Sequence, residues 1–375
     1  MAPALYALII GVSAYPHLPN GDGPLAPDDY GMTQLTAAAR SAVLVRDWLD
    51  SSASRLPVAL GRCTTLISPS PGELALSEST DGLATRDAVR DALLQWREDC
   101  ASDLDNVAFF YFAGHGVQRT RTDAVLLLRD FADRPGNPLV NAIDVNNLVN
   151  GMAPTVKRPG MARTQLWFID SCRVFPSEFD AFERLSATEV FDVTLSDRDN
   201  RCAPMYFGSL PGGEALALPD EQTIFSKALI ECLDGAASVS RPGSGVWDVT
   251  VGSLSQALGP VVRSINTETG GTQEAWTGGQ TTRPDARIVT APGVPDVRVS
   301  LELRPSSCAH EMSLRVTCPE GNPMPVPVPL NPNPFCDRWP AGVYRFDAAP
   351  SDRGLIDGHL PVLPPEFPWV GEVLP

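Results

Sequence analysis

Two short apolar runs, each ending in a chemically reactive residue, stand out in the hydrophobic pattern of the chain. Val107–Gly116 reads Val-Ala-Phe-Phe-Tyr-Phe-Ala-Gly-His-Gly, and Gln165–Arg173 reads Gln-Leu-Trp-Phe-Ile-Asp-Ser-Cys-Arg. Each run has the length of one buried strand and is short for a helix. Neighbouring parallel strands end at the same edge of a sheet, where open α/β sheets carry their sites. The pattern therefore predicts that His115 and Cys172 lie together.

Further apolar segments predict a mainly parallel sheet with helices on both faces. Apolar runs typical of strands occupy Tyr6–Val12, Val58–Ile67, Pro204–Leu210 and, in a hairpin-like arrangement, Ala124–Leu128. Helical spacing of apolar residues occupies Leu35–Leu49, the segment that follows a predicted N-cap at Thr85, Asp144–Asn150, Ile224–Leu233 and Val249–Val262. Polar, Gly-rich or Pro-rich composition predicts loops over Ser13–Gly31, Pro69–Leu83, Phe175–Arg201 and Asn266–Ala286. Strands that alternate with helices indicate a parallel sheet.

The pattern changes near Ala291, where prolines become frequent and apolar residues begin to alternate with polar ones. Alternating runs occupy Val297–Leu303, Ser313–Thr317 and Gly342–Phe346. This period-two pattern, broken by prolines, is typical of a small β-sandwich-like module and not of helices. We therefore expect an α/β domain at residues 1–290 and a small all-β module at residues 291–375.

Composition and charge exclude several classes of partner. The 375 residues are 43% hydrophobic and 20% charged, as in an ordinary globular protein, and the net charge is −16. Such an acidic chain is not expected to bind nucleic acid or anionic membranes. No apolar stretch reaches the roughly 18 residues of a membrane span, and the N-terminus lacks a basic flank, so we expect a cytoplasmic protein. The eight scattered cysteines are expected to be reduced and mostly buried.

The residues at the ends of the two apolar runs predict nucleophilic catalysis. A thiolate attacks a carbonyl far better than a thiol, and a nearby imidazole can generate it. Cys172 follows His115 by 57 residues, enough chain for a crossover that returns to the same sheet edge. Gly114 and Gly116 permit close approach of a substrate. The amides of Gly116 and Cys172 are the expected oxyanion donors.

Metal chemistry is not predicted by the sequence. Cys308, Cys318 and Cys336, with His310, contain the right atoms for zinc, but their spacing matches no standard zinc pattern. We expect these cysteines to lie in the core or in hairpins of the C-terminal module. No phosphate loop, dinucleotide fingerprint or repeat array is present either, so no bound cofactor is expected.

The residues around His115 and Cys172 resemble the caspase-like cysteine peptidases (family C14), and specifically the bacterial metacaspase and orthocaspase branch. Matching segments are Tyr6–Val12, Phe112–Gly116, Asp170–Cys172, Gly208–Glu214 and Phe225–Leu229. The resemblance covers roughly residues 5–265. It implies a caspase-like α/β fold, a cysteine endopeptidase with His115 as base and Cys172 as nucleophile, and protein or peptide substrates.

The resemblance also bears on specificity. In the metacaspase branch two acids hold an Arg or Lys side chain of the substrate, and Asp170 fills the first position. At the second position this chain has Ser41 where the family usually has Asp. A charge-assisted contact contributes about 1.5–3 kcal/mol, so one carboxylate should bind a basic residue less tightly than two. We expect cleavage after Arg, then Lys. The alternatives are a pocket for Leu or Met, and an Asp170 that only supports the strand end.

Relatives in this family often carry a self-processing site after the nucleophile, here in Val174–Arg201. The expected processing residues in this polar loop are Arg184, Arg198 and Arg201. Some relatives also need calcium, and Asp180, Glu183 and the segment Asp192–Asp199 contain oxygen ligands, although without the spacing of a calcium loop.

The resemblance leaves three functional hypotheses. The first is an active peptidase whose β module docks, gates or recruits substrate, in regulated proteolysis during bacterial stress, cell death or antiphage defence. The second is a zymogen activated by a partner protease or within a signalling assembly. The third is a catalytically silent, caspase-like adaptor, which the serine at position 41 favours and the intact His115–Cys172 pair opposes.

Overall fold

The computed structural model describes residues 2–120, 123–134, 136–173, 187–193, 199–213, 215–217, 221–349 and 358–373. In chain order the strands are β1 Ala4–Val12, β2 Ala59–Ser68, β3 Val107–Gly114, β4 Gly116–Thr120, β5 Asp123–Leu127, β6 Ala142–Asp144, β7 Thr164–Ser171, β8 Ala203–Phe207, β9 Ser238–Ser240, β10 Trp247–Thr250, β11 Trp276–Gln280, β12 Arg287–Thr290, β13 Asp296–Arg304, β14 Ser313–Thr317, β15 Phe335–Pro340, β16 Gly342–Ala349, β17 Gly358–Val362 and β18 Glu366–Glu372. The α-helices are α1 Ala38–Ser51, α2 Arg86–Cys100, α3 Val145–Gly151, α4 Ile224–Glu231 and α5 Val251–Thr269.

A six-stranded sheet in the order β11-β8-β7-β3-β1-β2 forms the centre of the first compact unit, residues 1–230 and 262–286. Its strands pair in parallel except for β11, which runs antiparallel to β8. β3 is buried throughout and has only apolar and aromatic side chains, as a strand covered on both faces requires. β7 buries the apolar residues 166–169 together with Gln165, Asp170 and Ser171. The predicted mainly parallel sheet is confirmed.

Helices cover both faces of this sheet. On one face, Trp96 of α2 packs against Phe110 of β3 and Trp167 of β7, with ring centroids 6.0 and 5.6 Å away. On the other face, α1 lies so close to β1 that a Cβ on Gly11 would stand 2.6 Å from the Cβ of Ala42. Glycine is therefore required at position 11 for this close helix–strand packing.

Several loop predictions are wrong. In the segment predicted as a loop over Asn266–Ala286, α5 continues to Thr269 and β11 forms the sheet edge. The sequence of β11, Trp-Thr-Gly-Gly-Gln, has no apolar alternation, and only its Trp276 packs, 5.2 Å from the ring of Phe207. Pro71–Ser79 forms a 3-10 helix with Ser70 and Glu73 as a capping box.

The predicted exposure of Phe175–Arg201 is wrong at Ala187, Phe191 and Arg201, which are buried, whereas residues 189, 192, 193, 199 and 200 are exposed as expected. Phe191 is 3% exposed and belongs to the core cluster beneath α2 and α3. The guanidinium of Arg97 lies 4.2 Å from the centre of its ring. The charged composition of the segment did not predict this burial, because Phe191 is a single aromatic residue among mostly polar ones.

The second compact unit comprises residues 231–261 and 287–375. It contains the small sheet β12-β10-β9 and two three-stranded sheets, β15-β13-β18 and β14-β16-β17. The last two sheets share one core, with Val299, Trp339 and Phe346 almost completely buried. Alternating burial along β13 confirms the predicted period-two pattern. The predicted domain boundary at residue 290 stays a prediction.

Among the described residues, no helix has both the length and the apolar character needed to cross a membrane. The described cysteine side chains are thiols and not disulfides, as expected, although Cys336 is exposed. The predicted cytoplasmic location stays a prediction.

Candidate functional site

His115 and Cys172 follow neighbouring strands at the same edge of the central sheet. Strands β3 and β7 pair in parallel with Gly114 opposite Ser171, so the next residue of each strand is His115 or Cys172. Both residues line one cavity of about 200 Å³. The juxtaposition predicted from the two apolar runs is present in the structure.

The backbone N–H and the ring of His115 each form a hydrogen bond to a loop residue. Its backbone N–H donates to the hydroxyl of Tyr15 at 2.8 Å, and its Nε2 lies 2.7 Å from the carbonyl oxygen of Thr33. Because a carbonyl oxygen only accepts, Nε2 carries the proton and Nδ1 has the free lone pair. Burial lowers the pKa of His115 and the Thr33 contact opposes that shift. The ring is thus neutral at pH 7 and able to accept a proton.

The sulfur of Cys172 contacts the backbone of the segment Ala215–Ala217, which forms the opposite wall of the cavity. The N–H of Ala215 donates to Sγ at 3.3 Å. The thiol also lies 3.8 Å from the carbonyl oxygen of Ala215, so the same residue contacts sulfur as donor and as acceptor. The wall itself is fixed by Gln273, whose side chain accepts from Leu216 N and donates to the carbonyl oxygen of Gly208, both at 2.7 Å.

Gly116 lies directly against the end of β7. A Cβ at this position would stand 2.5 Å from Ser171 Oγ and 2.8 Å from the carbonyl oxygen of Cys172. No side chain fits into that space without moving the backbone. Glycine at position 116 therefore allows the backbones of Gly116 and Cys172, the two predicted oxyanion donors, to approach each other.

Asp170 is a buried carboxyl group in the wall of the same cavity. The hydroxyl of Tyr111 donates to its Oδ2 at 2.8 Å, and the hydroxyl of Thr223 donates to the same oxygen. Its Oδ1 has no hydrogen-bond partner among the described residues. Burial raises the pKa of Asp170 to about 6, and the hydroxyls of Thr223 and Tyr111 oppose that shift.

Ser41 lies behind the cavity and not in its lining. It is fully buried, its Oγ donates to the carbonyl oxygen of Ala37 at 2.8 Å, and it accepts from Thr223 N at 3.0 Å. Thr223 stands between Ser41 and Asp170 and itself lines the cavity. The expectation that Ser41 contacts substrate directly is corrected, because its hydroxyl reaches the cavity only through Thr223.

The expected exposure of Arg201 as a processing residue is also corrected. Its side chain is 4% exposed, pairs with Asp199 at 2.6 Å and donates to the carbonyl oxygen of Val149 at 2.8 Å. A protease would have to break these contacts to reach the bond that follows it. The two other predicted processing residues, Arg184 and Arg198, lie outside the described residues.

The oxygen ligands considered for calcium are engaged elsewhere or fall outside the described residues. Asp192 pairs with Arg97 at 3.1 Å, and Asp199 pairs with an arginine of its own loop. Asp180 and Glu183 are not described. In the part of the chain that the structure describes, no group of three or more His, Cys, Asp or Glu side chains is placed to hold a metal.

Sequence reasoning missed the residues that orient the site. Tyr111 could have been identified from the sequence, because a tyrosine inside a strand that is buried on both faces needs a hydrogen-bond partner. Thr223 and Ser226, three residues apart at the start of α4, also resemble a helix-start pattern. No sequence pattern points to Tyr15 or Thr33, because they lie in a Pro- and Gly-rich loop whose path could not be predicted from local sequence.

Comparison with known proteins identifies the family. A family model described as the caspase domain matches residues 4–284, well over half of the chain. The chain belongs to the caspase domain family. Caspase-domain proteins are cysteine-type peptidases, so this protein is a hydrolase of that type whose substrates are proteins or peptides. Such peptidases generally need no cofactor.

Two solved structures are similar to this caspase-domain chain. A protein from Geobacter sulfurreducens matches with 16% sequence identity and a TM-score of 0.44, covering 77% of this chain and 98% of that one. Caspase-1 from Spodoptera frugiperda matches with 12% identity and a TM-score of 0.41, covering 76% of this chain and 90% of that one. No curated protein matches the sequence.

Proposed function

We propose that this caspase-domain protein is a cysteine endopeptidase of the metacaspase branch that cleaves peptide bonds after Arg and, less efficiently, after Lys. Cys172 is the nucleophile and His115 the general base. One observation carries the proposal: the carboxyl-bearing residue Asp170 forms part of the wall of the cavity that His115 and Cys172 also line.

The geometry supports a two-step acyl transfer. Nδ1 of His115 takes the thiol proton of Cys172, and the thiolate attacks the scissile carbonyl. The resulting oxyanion is stabilised by the amides of Gly116 and Cys172. His115 then gives its proton to the leaving amine as the C–N bond breaks. A water molecule, deprotonated by His115, hydrolyses the thioester and releases the acid and the free thiol.

Charge in the cavity supports a basic residue before the cleaved bond. A guanidinium bound in the cavity would pair with the Asp170 carboxylate through a charge-assisted hydrogen bond. A charge-assisted contact is worth about 1.5–3 kcal/mol, or roughly 10–100-fold in kcat/KM. Among the described residues that line the cavity, Asp170 is the single carboxylate, and the other lining residues include Leu35, Ala38 and Leu216. These apolar walls favour Leu or Met as the second candidate.

A panel of fluorogenic peptides that end in Arg, Lys, Leu, Met or Asp tests both specificities. We expect the order Arg, Lys, then Leu, with Asp uncleaved, and Cys172→Ala should abolish all turnover. Asp170→Asn should lower kcat/KM for Arg roughly 10–100-fold and change that for Leu by less than threefold. A Leu or Met preference in the unmodified protein would favour the apolar pocket. Absence of turnover in every preparation would favour the silent adaptor.

We also propose regulation by processing, supported by the family resemblance. The segment after the nucleophile carries Arg184 and Arg198, and cleavage there by the protein itself, by an activating protease or within a signalling complex would convert a zymogen to the active form. The role would be in bacterial stress, cell death or antiphage defence. Chains with both arginines changed to Ala, incubated with and without calcium, should stay intact and less active if processing is required.

A further inference from the structure

A second cavity lies beside the candidate active site. It measures about 360 Å³ and is lined by the loops that follow β1 and β2, together with Arg129. Gln34 lines both cavities. Its side chain is fixed in place because it accepts from Tyr15 N and donates to Tyr15 O, both at 2.8 Å. The two cavities therefore share one lining residue, Gln34, whose side chain is held in place by these hydrogen bonds.

The second cavity lies on the His115 side of the dyad. Tyr15 lines it, and the ring centroids of Tyr15 and His115 are 4.9 Å apart. In the sheet order, β1 and β2 lie on one side of β3, while β7 and β8 lie on the other. Asp170 is the penultimate residue of β7, and the wall segment Ala215–Ala217 follows β8. The second cavity therefore adjoins the first on the His115 side, while Asp170 lies on the β7 side of the first.

The direction of proton transfer indicates which side of the cleaved bond each cavity binds. The leaving amine must accept a proton from His115, so the chain after the cleaved bond departs past the imidazole. The residue before the bond is directed toward Asp170. We propose that the second cavity is a binding site for substrate residues that follow the cleaved bond. The inference rests on the proposed peptidase function and extends it to the leaving-group side.

The lining of the second cavity specifies the side chain it binds. Its walls include Pro16, Leu74 and Leu83, and the two leucines are 61% and 47% exposed. The charged groups in the lining, Asp22 and Arg129, approach each other to 3.8 Å and offset one another. An apolar side chain on the leaving-group side buries these leucines and meets no net charge. The ligand is therefore a peptide with an apolar residue shortly after the scissile bond.

Quenched-fluorescence peptides in the full-length protein test the inference. All peptides carry the best residue before the bond and differ after it, with Leu, Gly or Lys, while a coumarin amide has no residue there. We expect kcat/KM for the Leu peptide to exceed that for the Gly peptide roughly tenfold, since an apolar pocket discriminates on that scale. Leu74→Glu and Leu83→Glu should reduce that ratio to near one and raise the relative turnover of the Lys peptide.

The gain on the Lys peptide separates a binding effect from misfolding, because a damaged protein loses turnover on every peptide. Val156→Glu is the matched control, since Val156 is 99% exposed and does not line the cavity. It should leave all ratios unchanged. Normal coumarin turnover with equal ratios in the unmodified protein and both leucine variants would overturn this inference alone. No turnover of any substrate would overturn it together with the proposed function.

Discussion

Tyr15 joins three backbone segments through one phenol oxygen. The hydroxyl accepts from His115 N at 2.8 Å and donates to the carbonyl oxygen of Leu127 at 3.3 Å. Burial raises the pKa of Tyr15 far above its ordinary value, so the phenol stays protonated and keeps both roles. At the scale of single residues, the position of the proposed base thus depends on a side chain outside both sequence motifs.

Replacing Tyr15 by Phe removes the acceptor of the His115 amide while the ring remains. An unsatisfied buried donor costs about 1–3 kcal/mol, and we expect kcat/KM to fall roughly tenfold. The rate at which iodoacetamide alkylates Cys172 should fall as well, because a displaced imidazole generates less thiolate. Steady-state kinetics and alkylation rates, compared at equal folded fraction, check this. Unchanged alkylation would exclude the positioning role.

The ionisation of Asp170 should make the folded state less stable as pH rises. A salt-bridged carboxylate has the opposite effect, because its ionisation stabilises the folded state. The pKa of Asp170 is raised from 3.8 to about 6, so between these values the folded chain binds more protons than the unfolded chain. This contribution is fully present below pH 4 and lost above pH 6, and it amounts to about 2–3 kcal/mol.

The variant Asp170→Asn isolates this contribution because an amide does not titrate. We expect the difference in unfolding free energy, unmodified minus variant, to fall by about 2–3 kcal/mol between pH 4 and pH 7. Urea denaturation at several pH values measures it. A difference that stays constant over this range would show that Asp170 ionises in the folded state as it does in water.

The two titrating groups of the cavity should give different pH profiles of kcat/KM for different substrates. Burial lowers the pKa of His115, so turnover of a Leu substrate should decline only below pH 6.5. An Arg substrate also needs the Asp170 carboxylate, whose pKa is about 6, so its turnover should fall more steeply as the pH is lowered. Parallel pH profiles for both substrates measure this. Superimposable profiles would contradict a role for Asp170 in binding Arg.

At the scale of elements, the close approach of β4 to the end of β7 depends on a glycine. A Cβ at Gly116 would lie 2.5 Å from Ser171 Oγ, so Gly116→Ala should displace the strand start and lower kcat by about 100-fold, the effect of losing one oxyanion donor. Active-site titration and kinetics check this. Gly293→Ala, at a glycine with no atom within 4 Å of its added Cβ, is the control and should be neutral.

The central strands could be predicted because burial on both faces leaves a continuous apolar run, as in β3 and β7. The edge strand β11 could not, because its pairing with β8 is satisfied by the backbone while its side chains are mostly polar or absent. An edge strand specified by long-range backbone pairing therefore leaves little periodicity in the sequence. The end of α5 was missed for another reason: its local backbone hydrogen bonds continue past the last buried residue, Ile265, into the exposed residues 267–269.

The candidate site likewise contains residues that could be predicted from the sequence and residues that could not. The register of a parallel pair is enough to bring His115 and Cys172 together, and the two apolar runs predicted it. Asp170 follows from the same run. Tyr15 and Thr33 reach the site from a loop, and loop paths depend on contacts that no local pattern encodes. The sequence therefore predicted where the proposed reacting groups meet but not the loop residues that orient His115.

At the scale of the whole molecule, each compact unit has its own core. Phe346 of the second unit is 1% exposed and its ring lies within 5.9 Å of those of Phe367 and Trp369. Phe346→Ala should destabilise that unit by about 3–5 kcal/mol. Differential scanning calorimetry should show one transition shifted down. Val343→Ala, on the same strand with a 54% exposed side chain, should leave both transitions in place.

The contact between His115 Nε2 and the carbonyl oxygen of Thr33 has a genetic consequence. Every amino acid carries a backbone carbonyl, so no single substitution deletes the group that orients the imidazole. Inactive alleles from random mutagenesis should therefore accumulate at codons 115 and 172. Codon 33 should tolerate most replacements, and only residues that redirect the loop should be recovered there.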